Sequence, residues 1–206
     1  GETDQATDAS GNGHDGTIYG DLVTDSVGIC NEAFAFDGVD DYVSATLPTD
    51  LYTWSVSAWV YANRTPDGSR VSHMVQRNQN FVLNWDHTAP KYLGTAAFHH
   101  DGEGDWVTAT LGIDPGQDVG RWVHLAATWD GQDLRAYKDC QLQDVYTPTS
   151  AGDPSFDTEF VKVGRSNDAS GFFSGTIDEV RVWSKTLDAD QIAKMCQAQV
   201  SGMKYE

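Results

Sequence analysis

Oxygen-bearing side chains are densest near the N-terminus, in the segment DASGNGHDG at residues 8–16. Ca²⁺ prefers carboxylate and carbonyl oxygens, and glycines permit the tight curl that turns backbone carbonyls inward. A further acidic side chain, Asp178, lies in the apolar segment 173–183 near the other end of the chain. If the fold brings these ends together, Asp8, Asn12 and Asp178 would share one hard cation, and we predict a structural calcium ion there.

A structural role without metal is the alternative interpretation of the same side chains. In that case Asp8 and Asn12 cap turns, as short polar side chains commonly do. Asp178 would then form an ion pair with an arginine such as Arg181.

Aromatic side chains are the second group that could bind a ligand, because sugar rings stack their apolar C–H faces on them. Five of the seven tryptophans lie inside apolar strand patterns and are predicted to be core: Trp54, Trp59, Trp122, Trp129 and Trp183. The other two, Trp85 and Trp106, stand at strand ends beside polar residues and are predicted to be more exposed. They form the predicted ligand-binding set together with four neighbours: Tyr92, His100, Asp101 and Asp105.

Catalysis is not favoured by the acidic residues. A glycosidase needs two carboxylates about 5–10 Å apart. Glu103 and Asp105 begin the alternating acidic pattern of glucanases, but Val107 and Thr108 follow where the second glutamate would be needed. No serine or cysteine lies in a nucleophile-elbow pattern. We therefore predict that the protein is not an enzyme.

Charge and length restrict the partners. The chain has 31 acidic and 13 basic residues and a net charge of −18, which argues against nucleic acid and anionic membranes. The same charge favours a neutral or cation-bridged sugar. No apolar run approaches the roughly 18 residues of a membrane span. The chain begins without Met or a basic-then-apolar leader, which is typical of a processed piece of a larger protein.

Three cysteines allow at most one internal disulfide. Buried thiols are one interpretation. A disulfide that involves Cys196, near the C-terminus, is the other.

The elements that must position these residues are short strands. Period-two alternation and β-branched or aromatic enrichment predict strands, with Gly, Asp and Pro between them, at 33–37, 41–45, 54–61, 71–76, 80–85, 92–98, 106–111, 121–129, 133–138, 141–146, 160–164 and 173–183. One helix is predicted at 188–198, capped by Asp188. Many short strands without a linker predict a single all-β domain over 1–206, a two-sheet antiparallel β-sandwich with its core at about 8–198.

Four motifs in this order, FDGVDDYV (36–43), WSVSAWVY (54–61), RWVHLAATWDG (121–131) and FFSGTIDEVRVWSKTLDADQI (172–192), resemble the LamG-like jellyroll family. The family has the concanavalin A-like lectin/glucanase fold. The resemblance implies an extracellular module that binds carbohydrate or protein, often with a structural calcium ion. It also implies Asp8, Asn12 and Asp178 as the calcium ligands.

The chain departs from the family in two places. Only GETDQAT stands where members have an apolar first strand, so the strand at 173–183 is expected to lack a partner. Cys140 stands where members usually have glycine in a hairpin turn, which predicts a distorted turn or a position recruited for a disulfide.

The predicted function is non-catalytic recognition of a glycan or an extracellular protein, as one module of a larger secreted or cell-surface protein. The alternatives are a structural or adhesive spacer domain and, less favoured, a glycoside hydrolase of the same fold.

Overall fold

The computed structural model describes residues 5–47, 50–66, 71–85, 94–99, 106–149, 153–154, 159–166 and 171–200. Two antiparallel sheets face each other and enclose the core, as predicted. Across the eight-stranded sheet the order is β1 (Gln5–Ala6), β2 (Gly16–Tyr19), β5 (Tyr42–Thr46), β14 (Phe160–Val163), β7 (Ser72–Arg77), β8 (Phe81–Trp85), β9 (Thr95–His99) and β10 (Trp106–Thr110). Across the seven-stranded sheet it is β13 (Gln141–Tyr146), β12 (Leu134–Lys138), β11 (Trp122–Trp129), β6 (Trp54–Ala62), β15 (Ser174–Trp183), β4 (Glu32–Asp37) and β3 (Val23–Val27).

All twelve predicted strands are present, with ends that differ by at most three residues. The two-residue strand β1 and the longer strands β2 and β3 were not predicted. β2 is a four-residue segment behind the polar 8–15 loop, and β3 is a mostly exposed edge strand. An edge strand needs no apolar alternation, because little of it packs against the core. The short helix α1 (Pro115–Asp118) also lacks a sequence pattern of its own.

The prediction that the 173–183 strand lacks a partner is wrong. β15 pairs with β6 on one side and with β4 on the other. Two strands from earlier in the chain extend the sheet beyond β15: β4 pairs with β15, and β3 pairs with β4 at the edge. The short β1 pairs with β2 in the other sheet instead.

Aromatic rings fill the centre of the space between the sheets. Trp54 contacts Phe81 and Phe98 at ring-centroid distances of 5.6 and 6.2 Å, and Phe98 contacts Trp129 at 4.6 Å. All four side chains are buried. Aromatic pairs in tilted and edge-on arrangements add stability beyond the area that they bury.

The helix α2 (Ala189–Val200) explains why β6 and β11 are buried on both faces. It covers the outside of the seven-stranded sheet, where a second apolar cluster contains Ala126, Tyr137, Leu187, Ile192 and Met195. The predicted cap residue Asp188 is confirmed, because it forms a capping box with Gln191 at the start of the helix. The Gln191 N–H donates to Asp188 Oδ1 (2.8 Å) and the Asp188 N–H donates to Gln191 Oε1 (2.9 Å). Neither described helix has the length and apolar composition of a membrane span.

Cys140 and Cys196 form a disulfide, with their Cα atoms 5.7 Å apart. Of the two sequence-based alternatives, the structure contains the disulfide that involves Cys196. Asp139 and Cys140 form the two-residue turn between Lys138 and Gln141, and both have positive φ, 49° and 67°. This is the backbone of a primed hairpin turn, where glycine is usual. The disulfide thus ties an edge hairpin to α2.

Candidate functional site

One face of the eight-stranded sheet points away from the core, and we call it the outer face. Directly paired residues share a face, and successive residues of a strand alternate between faces. Val43, Val161 and Val75 face the core, so their chain neighbours Tyr42 and Lys162 face outward. Following the pairs from β2 to β10, one continuous row crosses the outer face: Thr17, Ser44, Lys162, Gln76, Val82, Ala97 and Thr108.

The middle of this row is almost inaccessible to solvent. Gln76, Val82 and Ala97 are only 6%, 2% and 4% exposed although they point away from the core. None of these three side chains carries a formal charge. The exposed aromatic side chains of this face, Tyr19 and Trp106, lie towards its two ends.

Aromatic and basic side chains lie together at the β2–β5 end of the outer face. Tyr19 and Tyr42 are direct neighbours across the two strands and stack with ring centroids 4.3 Å apart and planes 4° apart. The Arg165 guanidinium lies 4.2 Å from the Tyr42 centroid and 5.7 Å from the Phe172 centroid. Tyr19 is 43% exposed and presents a ring to solvent.

Two positively charged side chains contact the Tyr42 ring. Lys162 Nζ lies 5.0 Å from the ring centroid, within the range of a cation–π contact, as does the Arg165 guanidinium. Partial burial, and then the charge of Arg165, lowers the pKa of Lys162. Among the described residues, no ion pair joins either cation to a carboxylate.

Trp106 stands at the opposite end of the outer face, on the edge strand β10. It is directly opposite His99 on β9, and the two rings meet edge to face with centroids 5.6 Å apart. Trp106 is 49% exposed, so the prediction of its exposure is confirmed. A ring presented in this way can stack against an apolar ligand face.

Trp85 does not share this exposure, and its prediction as an exposed platform is wrong. It is 2% exposed and belongs to the core cluster. It continues the alternation of the core residues Phe81 and Leu83 in β8, and it lines a small pocket with Arg64 and Phe172. The other four members of the predicted ligand-binding set lie outside the described residues: Tyr92, His100, Asp101 and Asp105. Glu103 lies outside them as well.

The predicted metal ligands Asp8 and Asn12 meet through Ser10. The Ser10 N–H and hydroxyl donate to the two Asp8 carboxylate oxygens (2.9 and 2.8 Å), and Asn12 Nδ2 donates to Ser10 Oγ (2.9 Å). The His14 N–H also donates to Asp8 (3.0 Å). This bond and the Ser10 contacts lower the pKa of Asp8 to about 2, so the carboxylate is ionised in the folded state at neutral pH.

Asp178 is held by a different loop. Its Oδ2 accepts hydrogen bonds from the N–H groups of Ile29 (2.8 Å) and Cys30 (3.0 Å), and its Oδ1 accepts one from Glu179 (2.7 Å). Burial raises the pKa of Asp178. The alternative prediction paired it with Arg181, but Arg181 forms its ion pair with Glu179 at 2.5 Å.

The hydrogen bonds leave limited room for a cation at these carboxylates. A carboxylate has about four lone-pair sites. Asp8 and Asp178 each accept three hydrogen bonds, so each could offer about one further contact. The carboxylate and amide oxygens of Asp8, Asn12 and Asp178 are ligands of the type that a hard cation prefers. A calcium ion shared by Asp8, Asn12 and Asp178 stays a prediction.

Another acidic group lies in the turn between β4 and β5. The carboxylates of Asp37, Asp40 and Asp41 have oxygens within 4.8 Å of one another, and no other group of this kind occurs in the described part of the chain. Asp41 is 3% exposed, and its Oδ2 accepts the Asp37 N–H (2.9 Å). Burial raises the pKa of Asp41. The hydrogen bonds of Asp37 and Asp41 to backbone N–H groups show what this cluster does structurally: they close the turn.

The β2–β5 end of the outer face was missed by sequence reasoning. β2 was not predicted, so nothing marked Tyr19 as the partner of Tyr42. Lys162 and Arg165 lie about 120 residues further along the chain, and only the β5–β14 pairing brings them to the same ring. The alternation within β5 (YVSAT) could have predicted that Tyr42 and Val43 point to opposite faces of the sheet. It could not predict which residues Tyr42 contacts.

Comparison with solved structures shows the same fold in binding domains. The receptor binding domain of botulinum neurotoxin C/D mosaic serotype has a TM-score of 0.74 and 13% identity, over 93% of this chain and 48% of that one. The binding domain of botulinum neurotoxin DC in complex with rat synaptotagmin II has a TM-score of 0.72 and 12% identity, over 93% and 48%. This chain therefore spans about half the length of the neurotoxin domains.

A third structure matches along nearly its whole length. Domain 4 of AbnA, a GH43 extracellular arabinanase from Geobacillus stearothermophilus solved in complex with arabinotriose, has a TM-score of 0.73 and 18% identity, over 92% of this chain and 91% of that one. At these identities the likeness shows the fold alone. No curated protein matches the sequence.

The sequence profile of the concanavalin A-like lectin/glucanases superfamily matches residues 37–193, well over half of the 206-residue chain. The match begins at the FDGVDDYV motif and ends within α2, and it includes most strands of both sheets. On this match and on the two-sheet architecture, the chain belongs to the concanavalin A-like lectin/glucanases superfamily.

Proposed function

We propose that this chain is a non-catalytic carbohydrate-binding module that binds a glycan along the outer face of its eight-stranded sheet. The observation that carries the proposal is the pair of exposed aromatic rings at the two ends of this face. Tyr19 lies on β2 at one end of the face and is 43% exposed, and Trp106 lies on β10 at the other end and is 49% exposed. Exposed rings beside polar side chains such as Thr17, Ser44 and Thr108 suit a saccharide, because sugars present apolar faces and hydroxyl edges together.

The solved structures support the same class of function. Domain 4 of AbnA is described with bound arabinotriose, and it matches this chain over nearly the full length of both. That domain is one part of an arabinanase, which is consistent with a module that assists a larger protein. Such a module would bind weakly, because a shallow site buries little ligand surface.

Catalysis on the outer face is not supported. Glycoside hydrolysis requires two carboxyl groups on opposite sides of the scissile bond. The described row from Thr17 to Thr108 contains no aspartate or glutamate. The buried carboxylates Asp41 and Asp178 instead accept backbone hydrogen bonds in turns.

The Cys140–Cys196 disulfide supports an extracellular location. Disulfides form and persist in oxidising environments and are rare in the reducing cytosol. We propose that the module belongs to a secreted or cell-surface protein.

A protein partner is the second candidate. The observation in its favour is the edge strand β13, where Leu142, Val145 and Tyr146 are 48%, 43% and 45% exposed. An exposed apolar edge is a ready pairing surface. One neurotoxin neighbour is described in complex with synaptotagmin II. A spacer domain without its own ligand would show neither kind of binding.

A glycan array tests the proposal. We expect the wild-type protein to bind a defined set of glycans and the Tyr19→Ala and Trp106→Ala variants to bind them more weakly, by about ten-fold. Tyr146→Ala is the matched control, since it removes an equally exposed tyrosine from the other sheet. Each variant must keep the wild-type circular dichroism spectrum. The proposal fails if no glycan binds, or if all three variants bind like the wild type.

A further inference from the structure

We infer that the glycan carries an anionic group, a carboxylate or a sulfate, which binds between Lys162 and Arg165 beside the Tyr42 ring. The inference rests on the proposed function and adds the chemical class of the ligand. It assigns to the β2–β5 end of the outer face a specific role, which is recognition of charge next to an aromatic platform.

The geometry brings both cations to one place. Lys162 Nζ lies 5.0 Å and the Arg165 guanidinium 4.2 Å from the centroid of the same tyrosine ring. Arg165 is further held by Phe172, and its Nε donates to the carbonyl of Ser166 (3.0 Å). The Nη groups are the part of the guanidinium left for a ligand, and they suit the two oxygens of a carboxylate.

This pair lacks the carboxylate partners that several other basic side chains have. Arg121, Arg135, Lys138 and Arg181 each form an ion pair with an aspartate or glutamate. With 31 acidic residues against 13 basic ones, carboxylate partners are abundant on this protein. Lys162 and Arg165 nevertheless have no ion pair among the residues that the structure describes.

Two half-buried like charges in contact with one ring repel each other and lose hydration. The pKa of Lys162 is lowered for these two reasons, burial first and Arg165 second. An anionic ligand group removes both costs, because it neutralises the pair and replaces the lost water as acceptor. A neutral sugar would leave the repulsion in place.

The net charge of −18 describes the whole surface and not the immediate surroundings of Lys162 and Arg165. Exposed charges further away than about 10 Å are largely screened at physiological salt, whereas ligand groups in contact with Lys162 and Arg165 are not. The local pair therefore decides the sign of the ligand. This differs from the neutral or cation-bridged sugar that composition alone favours.

The test compares neutral, uronic-acid, sialylated and sulfated oligosaccharides on one array, followed by titration of each glycan class that binds. We expect the anionic glycans to bind at least ten-fold more tightly than neutral glycans of the same length, with affinity that falls as salt rises. Lys162→Gln and Arg165→Gln should each reduce this binding about ten-fold or more. Lys162→Arg keeps the charge and should retain most of it.

The control variant is Arg135→Gln. It removes the same single charge from the other sheet, where Arg135 is already paired with Asp130 and Asp133. Equal losses in Arg165→Gln and Arg135→Gln would overturn the inference. Binding of neutral glycans alone would overturn it and leave the proposed function standing. Binding of no glycan would overturn both. The uronic-acid, sialylated and sulfated arms distinguish a carboxylate from a sulfate.

Discussion

At the scale of single residues, two tryptophans in similar sequence surroundings have opposite environments. Trp85 and Trp106 both stand at strand ends beside polar residues, and the sequence predicted both as exposed. Trp85 is 2% exposed and Trp106 is 49% exposed. Polar flanking residues could not distinguish them, because the face of the sheet decides exposure: Trp85 continues the alternation of the core residues Phe81 and Leu83, whereas Trp106 is paired with His99 on the outer face.

Replacement of these two tryptophans should therefore have different effects. Trp85→Ala removes a large side chain from the core and should lower the free energy of unfolding by about 3–5 kcal/mol. Trp106→Ala should lower it by less than about 1 kcal/mol, because most surface substitutions have small effects. Urea denaturation of the two variants measures both values. Equal destabilisation would contradict the packing described for Trp85.

His124 is a second residue whose surroundings have a measurable consequence. It is fully buried beneath Trp59, and neither ring nitrogen has a hydrogen-bond partner within the described part of the chain. Burial lowers its pKa from 6.5 to about 4; the Asp139 charge opposes this shift and the Arg181 charge adds to it. Between about pH 4 and 6.5 the folded protein thus holds a neutral imidazole where the unfolded chain holds a protonated one.

Acid should therefore destabilise the protein through His124. Between pH 6.5 and about 4 the unfolded state binds the extra proton, so stability falls as the pH falls through this window and is unaffected above it. The loss at pH 5 should be about 2 kcal/mol relative to pH 8. His124→Phe should remove this part of the pH dependence, as measured by urea denaturation at both pH values. Parallel pH profiles of variant and wild type would rule the explanation out.

At the scale of secondary-structure elements, the pattern of alternation was sufficient for strands that pack against the core and insufficient for the rest. The repeated apolar positions of 54–61 and 121–129 predicted β6 and β11 closely. β3 is an edge strand with few buried side chains, so its sequence VTDSV shows no comparable pattern. The pairing of β15 with β4 could not be predicted either, because strand order depends on contacts between distant segments.

The disulfide between the β12–β13 hairpin and α2 should contribute substantially to stability. It closes a loop across a sequence separation of 56 residues, and loops of this length are stabilised by about 2–4 kcal/mol. Reduction of the wild type should lower the melting temperature in a thermal scan. The Cys140→Ala/Cys196→Ala variant should melt at the lower temperature with or without reductant. A wild type that melts identically in both conditions would show that the bond contributes nothing.

At the scale of the whole molecule, the sequence was sufficient for the class of fold and insufficient for the site. Composition and strand spacing predicted one two-sheet domain. The outer face assembles from Tyr19, Tyr42, Lys162 and Trp106, which lie on four different strands. Only the order β2-β5-β14-β7-β8-β9-β10 places them on one surface.

Calcium is a prediction about the whole molecule, since the ion would connect the N-terminal loop to β15. If Asp8, Asn12 and Asp178 share it, chelation should lower the melting temperature, because an ion that binds only the folded state stabilises it. At a hundred-fold excess over the dissociation constant the effect is roughly 3 kcal/mol. Asp8→Asn should melt early and respond weakly to chelator. Elemental analysis without calcium, together with an unchanged melting curve, would exclude the site.

The central claim is that the outer face of the eight-stranded sheet binds a glycan, and a crystal structure of the complex tests it most directly. The ligand should be the best-bound glycan from the array. We predict that the saccharide lies on the outer face, with a ring against Tyr19 or Trp106. A saccharide bound instead on the seven-stranded sheet, or at the loops that end the sandwich, would contradict the account.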